Sequence, residues 1–235
     1  MRMLFLALIA VTAAVCIRLG LWQLERLRER RAENGVALAA RALPESVLGA
    51  AASASLAHRR VRATGSYDRA GEIVLRGQAH REQPGVFVVT PLRLQGDSVA
   101  VLVVRGFVRS PDAVSVDLAS LDEPGTVTVR GIALPLTERA DDGGLLEREG
   151  GSATWKGLDR SAIEARLRYP VADVYIVQSP DSALPDAPRR IEPPALDDGP
   201  HLSYAIQWFA FAVIALVGAA ALLGRTGSAA RRPVP

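Results

Sequence analysis

The apolar positions of this chain are concentrated at its two ends. Residues 3–22, MLFLALIAVTAAVCIRLGLW, form one nearly uninterrupted apolar stretch, and residues 204–223 form a second whose only strongly polar side chain is Gln207. About 20 apolar residues are enough for a helix to cross the hydrocarbon core of a bilayer. The pattern therefore predicts two transmembrane helices, and the residues between them are numerous enough for a compact domain.

A polar segment of high helix propensity, residues 24–56, follows the first apolar stretch. We expect the first helix to continue into this segment and to end before Pro44, because the residue before a proline is disfavoured in a helix. The rest of the segment, residues 45–56, is rich in small side chains and could form a second, short helix.

From residue 57 onward the apolar positions alternate along the chain, which is typical of half-buried strands. The predicted strands are residues 59–68, 72–78, 85–94, 99–108, 126–134 and 172–178. Their connections are mostly too short for parallel crossovers, so the sheet is expected to be mainly antiparallel. Ser161 and Glu164 form a capping-box pattern that predicts a short helix at residues 161–168.

The predicted fold class is therefore α+β, with two transmembrane helices flanking a mainly antiparallel β domain, either a sheet or a partial barrel, and one short packed helix. The predicted parts are transmembrane helix 1 with a short N-terminus at residues 1–23, a juxtamembrane helical segment at 24–56, the β-rich domain at 57–180, a proline-rich linker at 181–200, transmembrane helix 2 at 201–224 and an arginine-containing tail at 225–235. The glycine-rich stretch 141–152 is predicted to be a loop.

Charged residues beside the apolar stretches indicate the orientation in the membrane. Arg225, Arg231 and Arg232 follow the second stretch without an acidic residue, which favours a cytoplasmic C-terminus. Two spans then place the N-terminus in the cytoplasm and the β domain outside it. A cleaved signal peptide is the alternative for the first stretch. The apolar run continues beyond Arg18 to an interfacial Trp22, however, and this favours a retained anchor.

Composition narrows the possible functions. The net charge of +3 is too small for an electrostatic nucleic-acid binder, and a single cysteine, Cys16, excludes an intrachain disulfide. The three histidines lie far apart in sequence, and no nucleophile elbow or phosphate-binding loop is present. We therefore expect no enzymatic activity.

Two charged stretches are given structural interpretations. The arginines and glutamates of residues 25–33 are interpreted as a solvated helix face with i,i+4 pairs. Asp197 and Asp198 are interpreted as solvated loop carboxylates.

The start of the second apolar stretch, HLSYAIQW, carries residues that an inert anchor does not need. His201, Tyr204, Ala205 and Trp208 share one face of a helix, and His201 and Trp208 are about 10 Å apart along its axis. One interpretation is an aromatic belt whose histidine caps the helix or faces water. The other is a haem site in which His201 is the axial ligand. The pattern alone favours the aromatic belt.

Five strings of the chain resemble, in the same order, the Surfeit locus protein 1 family. They are LGLWQLERL at 19–27, RRVRATGSYD at 59–68, GVFVVTPLRL at 85–94, VVRGFV at 103–108 and HLSYAIQWFAFA at 201–212. Members of that family are assembly factors of haem-copper cytochrome c oxidase. The resemblance implies an inner-membrane protein with two spans and an extracytoplasmic domain. It also implies a role in maturing the haem-containing core subunit of the oxidase, together with the haem a synthesis machinery.

The resemblance also implies site residues. Haem a binding in bacterial members is attributed to the histidine that corresponds to His201, which would ligate the haem iron, with Trp208 also involved; Tyr204 lies on the same face. The motif residues with an implied partner-binding or structural role are Gly20, Trp22, Gln23, Arg26, Arg105 and Gly106. The alternative function is a membrane scaffold that binds no haem and stabilises an oxidase assembly intermediate.

Overall fold

The structure is a computed structural model that describes residues 2–49, 54–96, 98–138, 145–146, 154–193 and 195–229. The chain divides into two compact units. Met1–Val36 and Leu196–Pro235 form a helix pair, and Ala37–Ala195 form a β domain. Most of the glycine-rich stretch 141–152 lies outside the described residues.

The described residues form three α-helices and nine strands. The helices are α1 (Arg2–Ala42), α2 (Arg160–Leu167) and α3 (His201–Ala229). The strands are β1 (Ser46–Val47), β2 (Arg60–Tyr67), β3 (Ile73–His80), β4 (Gln83–Leu94), β5 (Ala100–Arg109), β6 (Thr126–Pro135), β7 (Leu145–Leu146), β8 (Thr154–Trp155) and β9 (Val171–Gln178). Short 3-10 helices at Ala54–Leu56, Arg69–Gly71 and Ala119–Leu121 connect some of them.

Two of the helices are long and apolar enough to cross a membrane. These spans are Met3–Ala42 and His201–Leu223, and the mean hydropathy of their most apolar windows is 2.4 and 2.2. Most of their large apolar side chains are exposed, as expected of helices surrounded by lipid. The prediction of a membrane protein with two helices flanking a β domain is confirmed.

The two membrane helices pack antiparallel through small residues. On α1 the buried positions Ala13, Cys16 and Gly20 recur every three or four residues, and on α3 Ala205 and Ala212 are buried. Small side chains allow the backbones of membrane helices to approach closely, and close packing is what holds such helices together in lipid.

Gly20 of α1 packs directly against the Phe209 ring of α3. A Cβ atom placed on Gly20 would lie 2.7 Å from the ring of Phe209, closer than side-chain atoms come to one another. The absence of a side chain at residue 20 therefore sets the depth at which the Phe209 ring sits against α1.

The strands of the β domain close into a barrel. Five strands pair in the order β2-β6-β9-β5-β4, and β4 pairs again with β2, while β3, β8 and β7 extend the sheet beyond β4. The closing pair joins Gly65 to Leu94. A Cβ atom on Gly65 would lie 2.1 Å from the carbonyl oxygen of Arg93, so only glycine allows the two strands to approach this closely.

Alternation along the strands creates two apolar cores. Val101 and Val103 of β5 belong to the core inside the barrel, whereas Leu102 and Val104 belong to a second core outside it. Ile163 of α2 is fully buried in the second core. Both faces of β5 are buried, and its sequence is accordingly a nearly continuous run of apolar residues. Most pairings are antiparallel, as predicted, but β5 and β9 pair in parallel, as do β1 with β2 and β3 with β8.

Two local predictions are wrong. In the described parts of residues 45–56 the expected helix is absent: Ser46–Val47 form β1, which pairs with β2, and Ala54–Leu56 form a single 3-10 turn. The N-cap of α2 is Asp159 rather than Ser161, because the Asp159 carboxylate accepts the backbone N–H of Ala162 at 3.0 Å. Glu164 does not reach back to the cap; its side chain instead accepts the backbone N–H of Val171.

A buried arginine organises one end of the barrel. The Arg105 side chain is 2% exposed, and its guanidinium pairs with Glu72 at 3.0 Å and with Glu123 at 2.7 Å. It also donates to the carbonyl of Leu121 and lies over the ring of Tyr67. Burial raises the pKa of the Glu72 carboxyl, against which the hydrogen bond from Thr90 and the charge of Arg105 act.

The proline-rich segment lies against this end of the barrel. Arg189 forms an antiparallel bridge with Phe107, in which each backbone N–H donates to the other residue's carbonyl at 2.8 Å. Arg190 pairs with Glu123, the same carboxylate that binds Arg105. The predicted linker at 181–200 is therefore attached to the β domain over part of its length.

Replacing Gly20 by leucine should weaken the helix pair. The added side chain would collide with the Phe209 ring, and overpacking of this kind typically costs about 1–3 kcal/mol. Gly218→Leu is the matched control, because a Cβ atom on Gly218 meets nothing within 4 Å. Thermal denaturation of the full-length protein in detergent micelles should show a lower midpoint for Gly20→Leu only. Equal midpoints for the two variants would contradict the close approach.

Replacing Arg105 by alanine should destabilise the β domain by about 3–5 kcal/mol, because it removes the ion pair of the buried Glu72 and leaves Glu123 paired with Arg190 alone. Loss of the Arg105 cation also raises the pKa of Glu72 in the folded state further above its unfolded value. A carboxyl with a raised native pKa costs more stability as pH rises. The loss, measured by denaturant titration in micelles, should therefore be larger at pH 8 than at pH 5.

The exposed neighbour Arg109 provides the control for this prediction. Arg109→Ala should change the free energy of unfolding by less than about 0.5 kcal/mol at either pH. A similar loss in both variants would show that the buried ion pairs of Arg105 do not account for the stability.

Candidate functional site

A hydrogen bond across the helix pair connects two of the strings that the sequence singled out. Gln23, from the LGLWQLERL string on α1, accepts a hydrogen bond through Oε1 from Nδ1 of His201, the first residue of α3, at 2.8 Å. The two residues are 178 positions apart in sequence. The C-terminal end of the first apolar stretch therefore contacts the N-terminal end of the second.

The direction of this hydrogen bond determines which nitrogen of the His201 ring carries the proton. The Gln23 carbonyl oxygen can only accept, so the proton of a neutral His201 ring is on Nδ1 and the lone pair is on Nε2. A hydrogen bond at one ring nitrogen is the usual way in which a protein orients a metal-binding histidine and selects its ligating nitrogen. His201 is half-buried, so its ring is neither enclosed nor fully solvated.

The backbone before α3 passes close to the His201 ring. Gly199 has a φ of +64°, a conformation that side chains disfavour, and a Cβ atom there would lie 3.6 Å from Nε2 of His201. The Pro200 carbonyl accepts from the backbone N–H of Tyr204 at 3.1 Å and from the Ser203 hydroxyl at 2.8 Å, which starts the helix at His201. The glycine and proline at 199–200 thus set where the ring stands.

The loop that carries His201 is clamped onto α1. The Asp198 carboxylate pairs with Arg31 at 2.8 Å, and the Asp197 carbonyl accepts from Asn34 at 2.8 Å and from Arg30 at 3.3 Å. Both aspartates lie in a loop, and the Asp198 side chain is 44% exposed, as the interpretation of solvated loop carboxylates predicts; the ion pair with Arg31, two turns along α1 from Gln23, was not predicted. The clamp fixes the position of the loop against α1, and with it the start of α3.

The remaining charges on this part of α1 are solvent-exposed, as predicted, but their pairs differ from the predicted spacing. Arg26 pairs with Glu29 at 2.8 Å and Arg30 with Glu33 at 3.7 Å, both at i,i+3 rather than i,i+4. Arg26 also lies over the Trp22 ring, with its guanidinium carbon 5.7 Å from the ring centre. Trp22 and Arg26 therefore form an exposed pair one turn apart, beside the half-buried hydrogen bond of Gln23.

The aromatic residues of the predicted haem face take different positions. Ala205 is buried against the helix pair, Trp208 is half-buried, and Tyr204 is 46% exposed. The Trp208 ring contacts Phe211 edge-on, with centres 6.0 Å apart. On the predicted face, His201 and Trp208 are therefore partly covered by neighbouring residues, whereas Tyr204 lies at the exposed margin of the face.

Other residues named from the sequence lie in the β domain. Arg105 and Gly106 stand at the end of the barrel described above, where Arg105 is the buried ion-pair centre. A Cβ atom on Gly106 would lie 2.3 Å from the carbonyl oxygen of Arg189, so the glycine admits the backbone of the attached segment. Both residues therefore have structural roles within that domain.

Sequence reasoning did not find the contacts that position His201. Asn34 and Arg31 on α1, which hold residues 197 and 198, are separated from them by 163 and 167 residues. A single chain carries no local signal for pairs so distant, since each residue on its own is typical of an exposed helix or loop. Gln23 was identified only through the string that contains it.

The donor set at this point of the helix pair suits a haem. An imidazole at the polar end of an apolar helix, with one ring nitrogen held by a hydrogen bond, is the kind of ligand that haem iron takes in proteins. Trp208, two turns further along α3, offers an indole surface on the same side of the helix. His201, Trp208 and Tyr204 are the residues that could hold such a group.

Comparison with known proteins assigns the chain to a family. The model of the SURF1 family matches residues 10–213. A SURF1-like protein of Rickettsia felis is 26% identical over 214 residues, which cover 89% of this chain and 92% of that protein. A SURF1-like protein of Monosiga brevicollis is 30% identical over 239 residues, covering 91% and 85%. The matched region extends from within the first membrane span to within the second and includes Gln23 and His201, and the chain belongs to the SURF1 family, known as cytochrome c oxidase assembly factors.

Proposed function

We propose that this protein takes part in assembling haem-copper cytochrome c oxidase by holding haem a transiently at the polar end of α3, from where it is passed to the oxidase core subunit. The observation that supports this proposal is the hydrogen bond between Gln23 and His201, which leaves the Nε2 atom as the ligating nitrogen. The oxidase as the assembled enzyme is inferred from membership of the SURF1 family. Haem as the bound group is inferred from the His201 imidazole, because histidine is a common ligand of haem iron in proteins.

The residues of the helix pair would have separate tasks. His201 would bind the iron through Nε2, Gln23 would hold the ring in the required tautomer, and Trp208 would cover one side of the bound group. Tyr204, at the exposed margin of the same face, would make the outermost contact. When bound, haem a would supply the iron to which the imidazole coordinates. The protein's own contribution is binding and release, and no enzymatic step is proposed.

The proposed location follows from the charges beside the spans. The arginines after α3 favour a cytoplasmic C-terminus in the cell inner membrane. Both termini would then be cytoplasmic, and the β domain and His201 would be on the outer side. The partners would be the oxidase core subunit, which receives the haem, and the haem a synthesis machinery, which provides it.

Replacing His201 by alanine should abolish haem a binding. Full-length protein would be co-expressed with a haem a synthesis pathway and purified in detergent, and the haem content would be read from the absorption spectrum. We expect at least a tenfold loss of haem per protein in His201→Ala, because the only proposed iron ligand is removed. His80→Ala is the matched control, since His80 belongs to the β domain, and it should retain wild-type haem content.

Equal haem in the wild type and His201→Ala would refute the ligand assignment. If neither protein carried haem while both restored oxidase activity in a strain lacking the gene, the non-haem scaffold would be the correct function. These two outcomes differ in whether haem is present at all, so the experiment separates a wrong ligand from a wrong function.

Replacing Gln23 by leucine should weaken haem binding about 10- to 100-fold, the usual effect of removing a hydrogen-bond partner from a metal-binding histidine. Replacing Gln23 by glutamate should retain binding and lower the midpoint potential of the haem, because a carboxylate makes the imidazole a stronger donor than an amide does. Haem titration and potentiometry of the purified protein measure the two effects.

Gln207→Leu is the matched control, because Gln207 is an exposed glutamine within the apolar part of α3. It should bind haem as the wild type does, with an unchanged potential. If Gln23→Leu and Gln207→Leu behaved alike in both measurements, Gln23 would have no part in positioning His201.

A further inference from the structure

The β domain contains a cleft that the proposed haem site does not involve. Its volume is about 380 Å³. Three separate parts of the domain form its walls: the turn between β3 and β4, the end of β5, and the segment at 186–189. We name it the arginine cleft after the residues on its rim, which are Arg81, Arg109 and Arg189.

The floor of the arginine cleft is a fixed aromatic cluster. Phe107 is 4% exposed, and the centre of its ring lies 5.6 Å from the centre of the His80 ring and 6.0 Å from that of the Phe87 ring. A Cβ atom on Gly85 would lie 2.4 Å from the Phe107 ring, so the ring occupies the space that a side chain at residue 85 would need. The floor is thus held by packing on two sides.

The rim carries exposed cationic side chains. In the part of the chain that the structure describes, no ion pair joins Arg81, Arg109 or Arg189 to a carboxylate, and all three residues are exposed. The buried Arg105 and Arg190 nearby are both paired, with Glu123 shared between them. These two buried arginines are therefore paired with carboxylates of the domain, whereas the arginines on the rim of the cleft remain exposed to solvent.

The backbone fixes where these arginines stand. The two hydrogen bonds between Arg189 and Phe107 attach one wall of the cleft to β5. Arg81 and Glu82 form the two-residue turn between β3 and β4, and both have positive φ, +49° and +65°. Turns of this kind usually contain glycine or asparagine, so two long side chains in this conformation are uncommon. Arg81 is therefore presented from a tight turn and not from a long, variable loop.

We propose that the arginine cleft is a docking site for an acidic segment of a partner polypeptide. Guanidinium groups bind carboxylates in a paired, planar geometry, and three of them around an apolar floor match a segment with several carboxylates and an apolar side chain between them. Asp186 is the single carboxylate on the lining, which leaves the cleft with a net positive charge.

The position of the arginines favours a polypeptide over a small anion. Small-ligand sites bury most of the ligand and converge a few polar groups on it. Here the cationic groups stand on the exposed rim, on three separate parts of the domain, and the enclosed part of the cleft is the aromatic floor. A segment that extends across the rim can reach all three, and rim charges of this kind raise the association rate and select the partner by charge.

The test uses the full-length protein in detergent micelles and a fluorescein-labelled peptide of four glutamates around one phenylalanine, with binding followed by fluorescence anisotropy. The combined variant Arg81→Gln, Arg109→Gln and Arg189→Gln should weaken binding at least tenfold. The matched control removes the same charge elsewhere, by Arg28→Gln, Arg130→Gln and Arg168→Gln, all at exposed arginines. It should change the affinity by less than about twofold, and a peptide with glutamine in place of glutamate should not bind.

Thermal denaturation of each variant verifies that it is folded. If the combined cleft variant were unstable, Arg81→Gln and Arg109→Gln would be measured singly, and each should weaken binding about threefold. An equal loss of affinity in the cleft and control variants would overturn the proposal, because general electrostatic attraction would then explain the binding. Displacement of the peptide by millimolar inorganic phosphate, with phosphate binding lost only in the cleft variant, would instead show a small-anion site and would also overturn it.

Discussion

The hydrogen bond between Gln23 and His201 is the interaction on which the proposed site depends. It joins two helices whose residues are far apart in sequence, and it forms where the apolar stretches end, so that water competes for it less than at a fully exposed site. Partial burial of an imidazole or amide without a partner costs stability, which ties the orientation of the ring to the packing of the helices. With Nδ1 donating to Gln23, the lone pair of a neutral ring is on Nε2.

Contacts on both sides of this hydrogen bond set its geometry. Toward the apolar part of the helices, the Phe209 ring fits against Gly20 and sets the depth of packing. Toward water, the ion pair of Arg31 and Asp198 holds the loop before α3. The register of α3 against α1 is therefore fixed one turn before Gln23 and two turns after it. A change at either point should alter the position of the His201 ring without touching the ring itself.

Much of the architecture could be predicted from the sequence, because apolar length and period are local signals. The two spans, most of the strands and the helical extension of the first span up to Ala42 followed directly from them. Propensity failed at residues 45–56, where pairing of Ser46–Val47 with β2 overrode the helix preference of small residues. It failed again at α2, where Ser161 and Asp159 are both good caps and the structure uses the aspartate.

Contacts between distant residues could not be predicted. Closure of the barrel by β2 and β4, the parallel pairing of β5 with β9, and the clamp at Asp198 all join residues that the sequence alone does not relate. The helix face of His201 and Trp208 was visible from spacing, but its partner was not, because the position of Gln23 opposite His201 depends on how the helices pack. Local pattern thus indicated His201 as the proposed ligand, and only the packed structure showed that Gln23 binds its ring.

The most direct test of this arrangement is the protonation of the His201 ring in the haem-free protein. Full-length protein labelled with ¹⁵N-histidine would be studied in micelles by long-range ¹H–¹⁵N correlation NMR at a pH where the ring is neutral, with the three histidines assigned by single substitution. A hydrogen bond to Gln23 predicts a protonated Nδ1 and an unprotonated Nε2 for His201, and loss of this preference in Gln23→Leu. A proton on Nε2 in the wild type would contradict it, because the nitrogen proposed to bind iron would then be a donor and not a ligand.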